Sequence, residues 1–318
     1  MGIELLQRTL DGLLDGASYA LVGLGLTLTF GTLRRLNLAY GATAMLGAYV
    51  GAWLHLRFGA PAWAVAMAVV AVAALAGLYV EWLCFAGTSD DTPPGAGAAT
   101  SARGGGPVAG ADAREVVALA SSFAVWMQLE QLAVNLLPRH LNPFPSLASA
   151  GEWSIGALVL RPDRLVLALL AVALCLGLAE WLARSRRGLA WRAAADQRVA
   201  AHLAGIAVPQ VQRAAFAAAS ALAGFAAFAV LAVDGQVTPM FGMWILTKGL
   251  VAALLGGLGS VRGVLGGGLL LGVVEAHAQG MFGAFGREFA GWALLVVVLL
   301  APWRRPTRGF PRGFAHAG

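Results

Sequence analysis

The feature that most restricts this chain is a succession of apolar blocks, most of them about twenty residues long, parted by short polar or glycine-rich breaks. A block of that length matches the hydrocarbon thickness of a bilayer, where every backbone N–H and C=O must be satisfied within the segment, so each block is expected to be a helix. The blocks run from Leu10 to Gly31, Asn37 to Leu56, Pro61 to Ala86, Arg114 to Leu137, Asp163 to Ala183 and Val211 to Val233. A closely spaced pair, Pro239 to Leu255 and Gly263 to Ala278, and a last block from Arg287 to Trp303 complete the series. The predicted fold is all-α, a polytopic membrane protein of eight or nine transmembrane helices. The count turns on the polar knot Asn37-Leu38-Ala39-Tyr40-Gly41, which fits either a broken, re-entrant helix or a turn before a plain one. Composition agrees with the class: 12% of residues are charged, against about 25% in soluble domains.

Charge gives the orientation. Lys248 is the one lysine among 22 basic residues, and the other 21 are arginines. With nine crossings and the N-terminus outside, six arginines (Arg8, Arg57, Arg139, Arg161, Arg164, Arg287) fall outside and the remaining fifteen inside, the bias expected of cytoplasmic loops. Such a balance in a soluble protein would suggest nucleic acid, but no RNA- or DNA-binding module is visible. No cleavable signal segment is read at the N-terminus.

Between the fifth and sixth blocks lies an interruption, RSRRGLAWRAAADQRVAAHLAG, from Arg184 to Gly205 with five arginines. Ala195, Val199, Leu203 and Ile206 recur at helical spacing, so 189–206 is predicted to be one amphipathic cytoplasmic helix stopped by Gly205 and Pro209. It is either a surface for a cytoplasmic partner or a solvated loop that fixes topology. The chain therefore divides into N-terminal spans (1–86), a Gly/Ala/Pro-rich segment read as a disordered cytoplasmic linker (87–113), spans bearing the elbow (114–303) and a basic cytoplasmic tail (304–318). A small hairpin is expected within 151–160.

Little points to chemistry. Five scattered histidines, two cysteines inside apolar runs and no GxxxxGK[ST] leave no metal site, triad or phosphate cradle; no enzyme activity and no cofactor are predicted. Lys248, Glu275, Glu81 and Glu130 fall within spans, where ionisable groups are costly and serve either the permeation path or structure. Gly12/Gly16, Gly47/Gly51, Gly259/Gly263/Gly267 and Gly268/Gly272, with Gly256 and Gly257 in the connecting run, mark close helix approaches.

Three stretches carry a resemblance: residues 15–50, 192–206 and 243–276. Together they are similar to the branched-chain amino acid ABC transporter permeases of the LivH type. The resemblance implies an inner-membrane subunit that forms the translocation path, together with a second, LivM-like permease, two cytoplasmic ATP-binding subunits and an extracytoplasmic solute-binding protein; ATP would be bound by the partners. It implies ATPase coupling through Arg192, Asp196, Val199, Ala200, Ala201, Leu203 and Gly205. Ala200-Ala201-x-x-x-Gly205 resembles the family's docking loop, although Val199 replaces a glutamate there. Asn37, Tyr40 and Gly41 occupy the place of an Asn-Phe-Ala-His-Gly sequence in relatives. Translocation or packing roles are implied for these residues and for Gly47, Gly51, Lys248, Gly256, Gly257, Gly259, Gly263, Gly267 and Glu275. A urea or short-amide permease, a stand-alone carrier or channel, and a membrane enzyme are the competing readings.

Overall fold

A computed structural model describes residues 2–33, 37–85, 107–137, 142–147, 153–155 and 158–300. The protein is a helical bundle: α1 (Gly2–Leu33), α2 (Tyr40–Phe58), α3 (Ala62–Val80) prolonged by a π-helical turn (Glu81–Phe85), α4 (Pro107–Leu136), α5 (Pro162–Arg184), α6 (Arg186–Asp196), α7 (Arg198–Leu203), α8 (Val208–Asp234), α9 (Phe241–Gly256) and α10 (Val261–Leu300). Among the described residues, six helical stretches are long and apolar enough to cross a membrane, and α9 is a shorter apolar helix. The all-α class is therefore as expected. Of the predicted linker, residues 87–106 lie outside the described residues, whereas 107–113 are the first turns of α4. The tail also lies outside them.

The centre of the bundle is α1, whose residues from Gly16 to Thr29 are buried without interruption. It packs most extensively on α10, then on α8 and α9. The two glycine pairs meet there: a Cβ on Gly12 would lie 2.7 Å from the Gly272 carbonyl oxygen, and one on Gly16 the same distance from that of Gly268. Only hydrogen at these positions lets two backbones approach so closely. Gly47 and Gly51 do the same for α2 against α3, where a Cβ on Gly47 would stand 2.7 Å from the Val69 carbonyl. Gly263 and Gly267 seat α10 on Gly256 and Ala252 of α9. Gly259 does not belong to that stripe. Both it (φ 102°) and Gly257 (φ 85°) turn the α9–α10 connection in the left-handed region that favours glycine.

Asn37 resolves the polar knot. Its Oδ1 accepts the Ala39 amide at 3.0 Å, and an unbroken 19-residue α2 follows, so a turn and a plain helix replace the broken-helix alternative. Tyr40 is wholly buried, and its hydroxyl faces the carbonyl oxygens of Val22 in α1 (3.0 Å) and Ala219 in α8 (3.3 Å). Its neighbour Gly41 lies against the Gly242 carbonyl of α9. Tyr40 and Gly41 thus fasten α2 to three other helices.

α10 is one apolar stretch in sequence but two helical arms in space. At Gly283 the backbone takes φ 71° and ψ −160°, a conformation essentially restricted to glycine. Beyond it, Gly286 lies on Ala278, Gly291 faces Glu275, and Leu294 and Leu295 pack on the cluster containing Leu271. Contacts that step backwards along the first arm as the second advances define an antiparallel hairpin.

Short strands fix one end of the bundle. β1 (Asn142–Pro143), after α4, pairs antiparallel with β4 (Gln236–Val237), after α8. The expected hairpin is present as β2 (Trp153–Ile155) with β3 (Leu158–Leu160). Gln7 of α1 grips its second strand by donating to the Val159 carbonyl (2.9 Å) and accepting its amide (3.1 Å).

Candidate functional site

The polar features gather at the two ends of α5 and α8. At one end these helices are joined by the arginine-rich elbow; at the other they open onto a charged cavity.

The elbow is two helices rather than one. Ser185 caps the first by accepting the Gly188 amide at 2.8 Å. Gln197 then adopts an extended backbone (φ −142°, ψ 100°) that ends α6 and begins α7. This break resets the helical phase, so the expected stripe does not form: Ala194, Ala195 and Ala201 are buried, whereas Val199 and Leu203 are 72% and 83% exposed. Val199, Ala200 and Leu203 share the outward face of α7, and Asp196 is exposed at the end of α6. Gly205 (φ 82°) stops the segment in open space. Arg192 turns back and donates to the Ala183 carbonyl of α5 at 3.1 Å.

A polar chain leads from the elbow into the bundle. Arg198, the first residue of α7, donates to the Gln212 side chain of α8 at 2.8 Å, and Gln212 donates to Glu81 at 3.2 Å. Arg213 lies 3.6 Å from the other Glu81 oxygen. Gln212 and Glu81 are buried, and Glu81 opens the π-helical turn of α3, a distortion often found where function requires it. Sequence reading singled out Glu81 alone. Glu130, another intraspan acid named from sequence, takes no part in this polar chain among the described residues.

At the opposite end, a cavity of about 340 Å³ lies among α1, α5, α8, α9 and α10. Three arginines (Arg8, Arg164, Arg287) and three aspartates (Asp11, Asp15, Asp234) line it, so its formal charge is zero. Against its wall runs a chain of alternating charges. Arg287 donates to Tyr19 Oη at 2.7 Å, pairs with Asp15 at 3.1 Å and lies 3.6 Å from Glu275. Glu275 accepts a 2.7 Å bond from Lys248, which also stands 3.4 Å from Glu288. Trp244 completes the group: its indole donates to Glu288 at 3.1 Å, its ring lies 5.5 Å from the Lys248 ammonium, and Tyr19 meets it edge-on. Lys248 and Glu275 retain 3% and 2% side-chain exposure, so each charge depends on its partner. Gly291 makes room for the pair, because a Cβ there would lie 2.9 Å from Glu275 Oε1 and 3.2 Å from Lys248 Nζ.

The structure thus unites Lys248 with Glu275 and joins to them Asp15, Tyr19, Trp244, Arg287 and Glu288, which sequence reading missed. Asp15 lies 272 residues from Arg287 in the chain, a pairing that no local pattern announces. The hairpin at Gly283 brings Arg287 and Glu288 back onto the Lys248–Glu275 pair.

Central glycine-packed helices, a charged chamber at one end and a basic elbow at the other define a polytopic membrane transport protein. The chain belongs to the branched-chain amino acid transport system permease component family, whose description matches residues 8–301. It is 28% identical to the high-affinity branched-chain amino acid transport system permease protein BraD of Pseudomonas aeruginosa, over 95% of this chain and 94% of that protein. It is 27% identical to the corresponding permease protein LivH of Salmonella typhimurium, over 94% of each chain, and equally to LivH of Escherichia coli. It is a multi-pass protein of the inner membrane.

Proposed function

We propose that the chain is the permease subunit of an ATP-driven importer for branched-chain and other hydrophobic amino acids, acting with a second permease, two cytoplasmic ATPases and an extracytoplasmic binding protein. The observation that carries this reading is the family match along nearly the whole chain; the polar chain and the chamber at opposite ends of α5 and α8 give it a physical form. On this reading the membrane is crossed nine times, by α1 to α5, α8, α9 and the two arms of α10. The arginine-rich elbow then faces the cytoplasm, which agrees with the charge bias, and the chamber faces outward.

The exposed apolar pair Val199 and Leu203, with Asp196, Ala200 and Gly205 around it, is the docking face for an ATPase. Ala201 and Arg192 hold that face to the bundle from behind. Movement of α7 would be passed through Arg198 and Gln212 to Glu81 in α3, while glycine-lined contacts let helices slide or rock without a change of core packing. ATP binds to the partner subunits, and this chain contributes path and lever.

Reconstitution tests the assignment. Liposomes carrying the complete set of subunits should accumulate radiolabelled L-leucine when supplied with ATP and the binding protein, and liposomes lacking this chain should not. Leucine flux at full rate through this chain alone, without nucleotide, would overturn it.

A further inference from the structure

Six charged side chains line the outward cavity, and three of them, Arg287, Asp15 and Asp11, have ion-pair or hydrogen-bond partners. Arg287 is held by Asp15, Tyr19 and Glu275; Asp11 accepts from Gln7 at 3.2 Å; and Arg8 lies against Gly280. Arg8, Arg164 and Asp234 have neither an ion pair nor a side-chain hydrogen bond among the described residues, and of these Arg164 and Asp234 sit at the ends of α5 and α8. Asp234 lies within electrostatic reach of Arg287 first and, more weakly, of Arg164 across the cavity, yet among the described residues neither Arg164 nor Asp234 forms an ion pair. Arg164 Nε is buried with no hydrogen-bond partner.

Both also stand at the wrong ends of their helices. Arg164 is in the first turn of α5, where the helix dipole already presents positive charge, and Asp234 is the last residue of α8, where it presents negative charge. Each is therefore opposed by its own helix. A carboxylate at Arg164 and an ammonium at Asp234 would relieve both oppositions at once, and the cavity, formally neutral, would remain so. A lone anion or a lone cation satisfies one end and leaves the other charged. Leu14, Leu167, Ala168, Val230 and Val233 supply an apolar wall beside these groups.

We infer that the outward cavity is a binding site for a zwitterionic amino acid with an apolar side chain, its carboxylate on Arg164 and its ammonium on Asp234. This rests on the transport reading above and assigns that reading a site within this subunit. The ligand would draw together the outer ends of α5 and α8, the two helices whose inner ends flank the elbow, so occupancy of the chamber and the position of α7 are mechanically joined.

The test is saturation binding of radiolabelled L-leucine to the full chain in phospholipid nanodiscs, run beside leucine uptake by the assembled transporter. The expected result is saturable binding displaced by unlabelled leucine, but at equal concentration by neither 4-methylpentanoate, which lacks the ammonium, nor 3-methylbutylamine, which lacks the carboxylate. Arg164→Gln and Asp234→Asn should each weaken binding roughly tenfold or more, as loss of a charge-assisted pair does, and Arg164→Lys should recover part of the loss. Variants that bind as wild type, or absence of saturable binding to the wild-type chain while the assembled transporter carries leucine, would overturn the site and leave the transport reading standing. Displacement of a bound radiolabelled amide by urea, with no response to leucine, would overturn both.

Discussion

Replacing Lys248 with methionine should destabilise the protein more than replacing its partner Glu275 with glutamine, although the two residues form one ion pair. The asymmetry follows from counting the network. It holds three acids, Asp15, Glu275 and Glu288, and two bases, Lys248 and Arg287. Glu275→Gln leaves two of each, and each base keeps a carboxylate: Lys248 at 3.4 Å from Glu288 and Arg287 at 3.1 Å from Asp15. The new amide oxygen can also still accept from the ammonium, so the cost should be about 1–2 kcal/mol. Lys248→Met instead leaves three carboxylates with one guanidinium, and Glu275, at 2% exposure, keeps as its one ion pair the longer 3.6 Å contact with Arg287. Stripping a buried charge of its partner costs about 3–5 kcal/mol. At roughly 2–4 °C per kcal/mol, the full chain in one detergent should melt about 6–20 °C lower as Lys248→Met and only a few degrees lower as Glu275→Gln. The double variant should cost less than the two single costs added together. A melting point for Glu275→Gln at or below that of Lys248→Met would refute the counting argument.

Gly283→Ala places a Cβ on a backbone at φ 71° and ψ −160° and should cost about 1–3 kcal/mol, seen as a lower melting point and as faster labelling of a cysteine introduced at Leu295 in the second arm. Gly291→Ala intrudes on the Lys248–Glu275 pair and should lower leucine uptake while ATPase activity of the assembled transporter persists; full uptake would show that the pair can shift aside. Leu203→Asp on the exposed face of α7, and Gly205→Val, which forces a β-branched residue to φ 82°, should each uncouple uptake from ATP hydrolysis, and normal uptake by both would remove the lever. Gln212→Leu breaks the buried link between Arg198 and Glu81 and should reduce uptake without releasing α7 from the ATPase in pull-down.

The parts legible in the sequence were those written at short range. Block length announced helices, glycines four residues apart marked faces of close approach without naming the helix each would meet, and five arginines between two apolar runs marked the elbow. Lys248 and Glu275 were conspicuous because charges in apolar runs always are. Two kinds of information were hidden. The first is phase: a helical stripe through Ala195, Val199 and Leu203 presumes an unbroken helix, and the extended Gln197 removes that premise. The second is long-range pairing. Arg287 read as an outer-loop residue because nothing near it in sequence indicates Asp15 or Tyr19. Gly283 was inconspicuous because, in a chain with 42 glycines, one more carries little signal until its ψ is known.

The contact of α1 with the hairpin of α10 bears on how the molecule is made. The segment that carries Asp15 and the ridge of Gly12 and Gly16 is synthesised well before the partners of both, the backbone at Gly268 and Gly272 and then Arg287, which follows Asp15 by 272 residues. Until α10 is made, α1 waits in the lipid with an unanswered acid and an unfilled groove. A chain truncated before α10 would therefore present the insertion machinery and its quality-control proteases with a persistent, recognisable defect rather than a smaller folded protein.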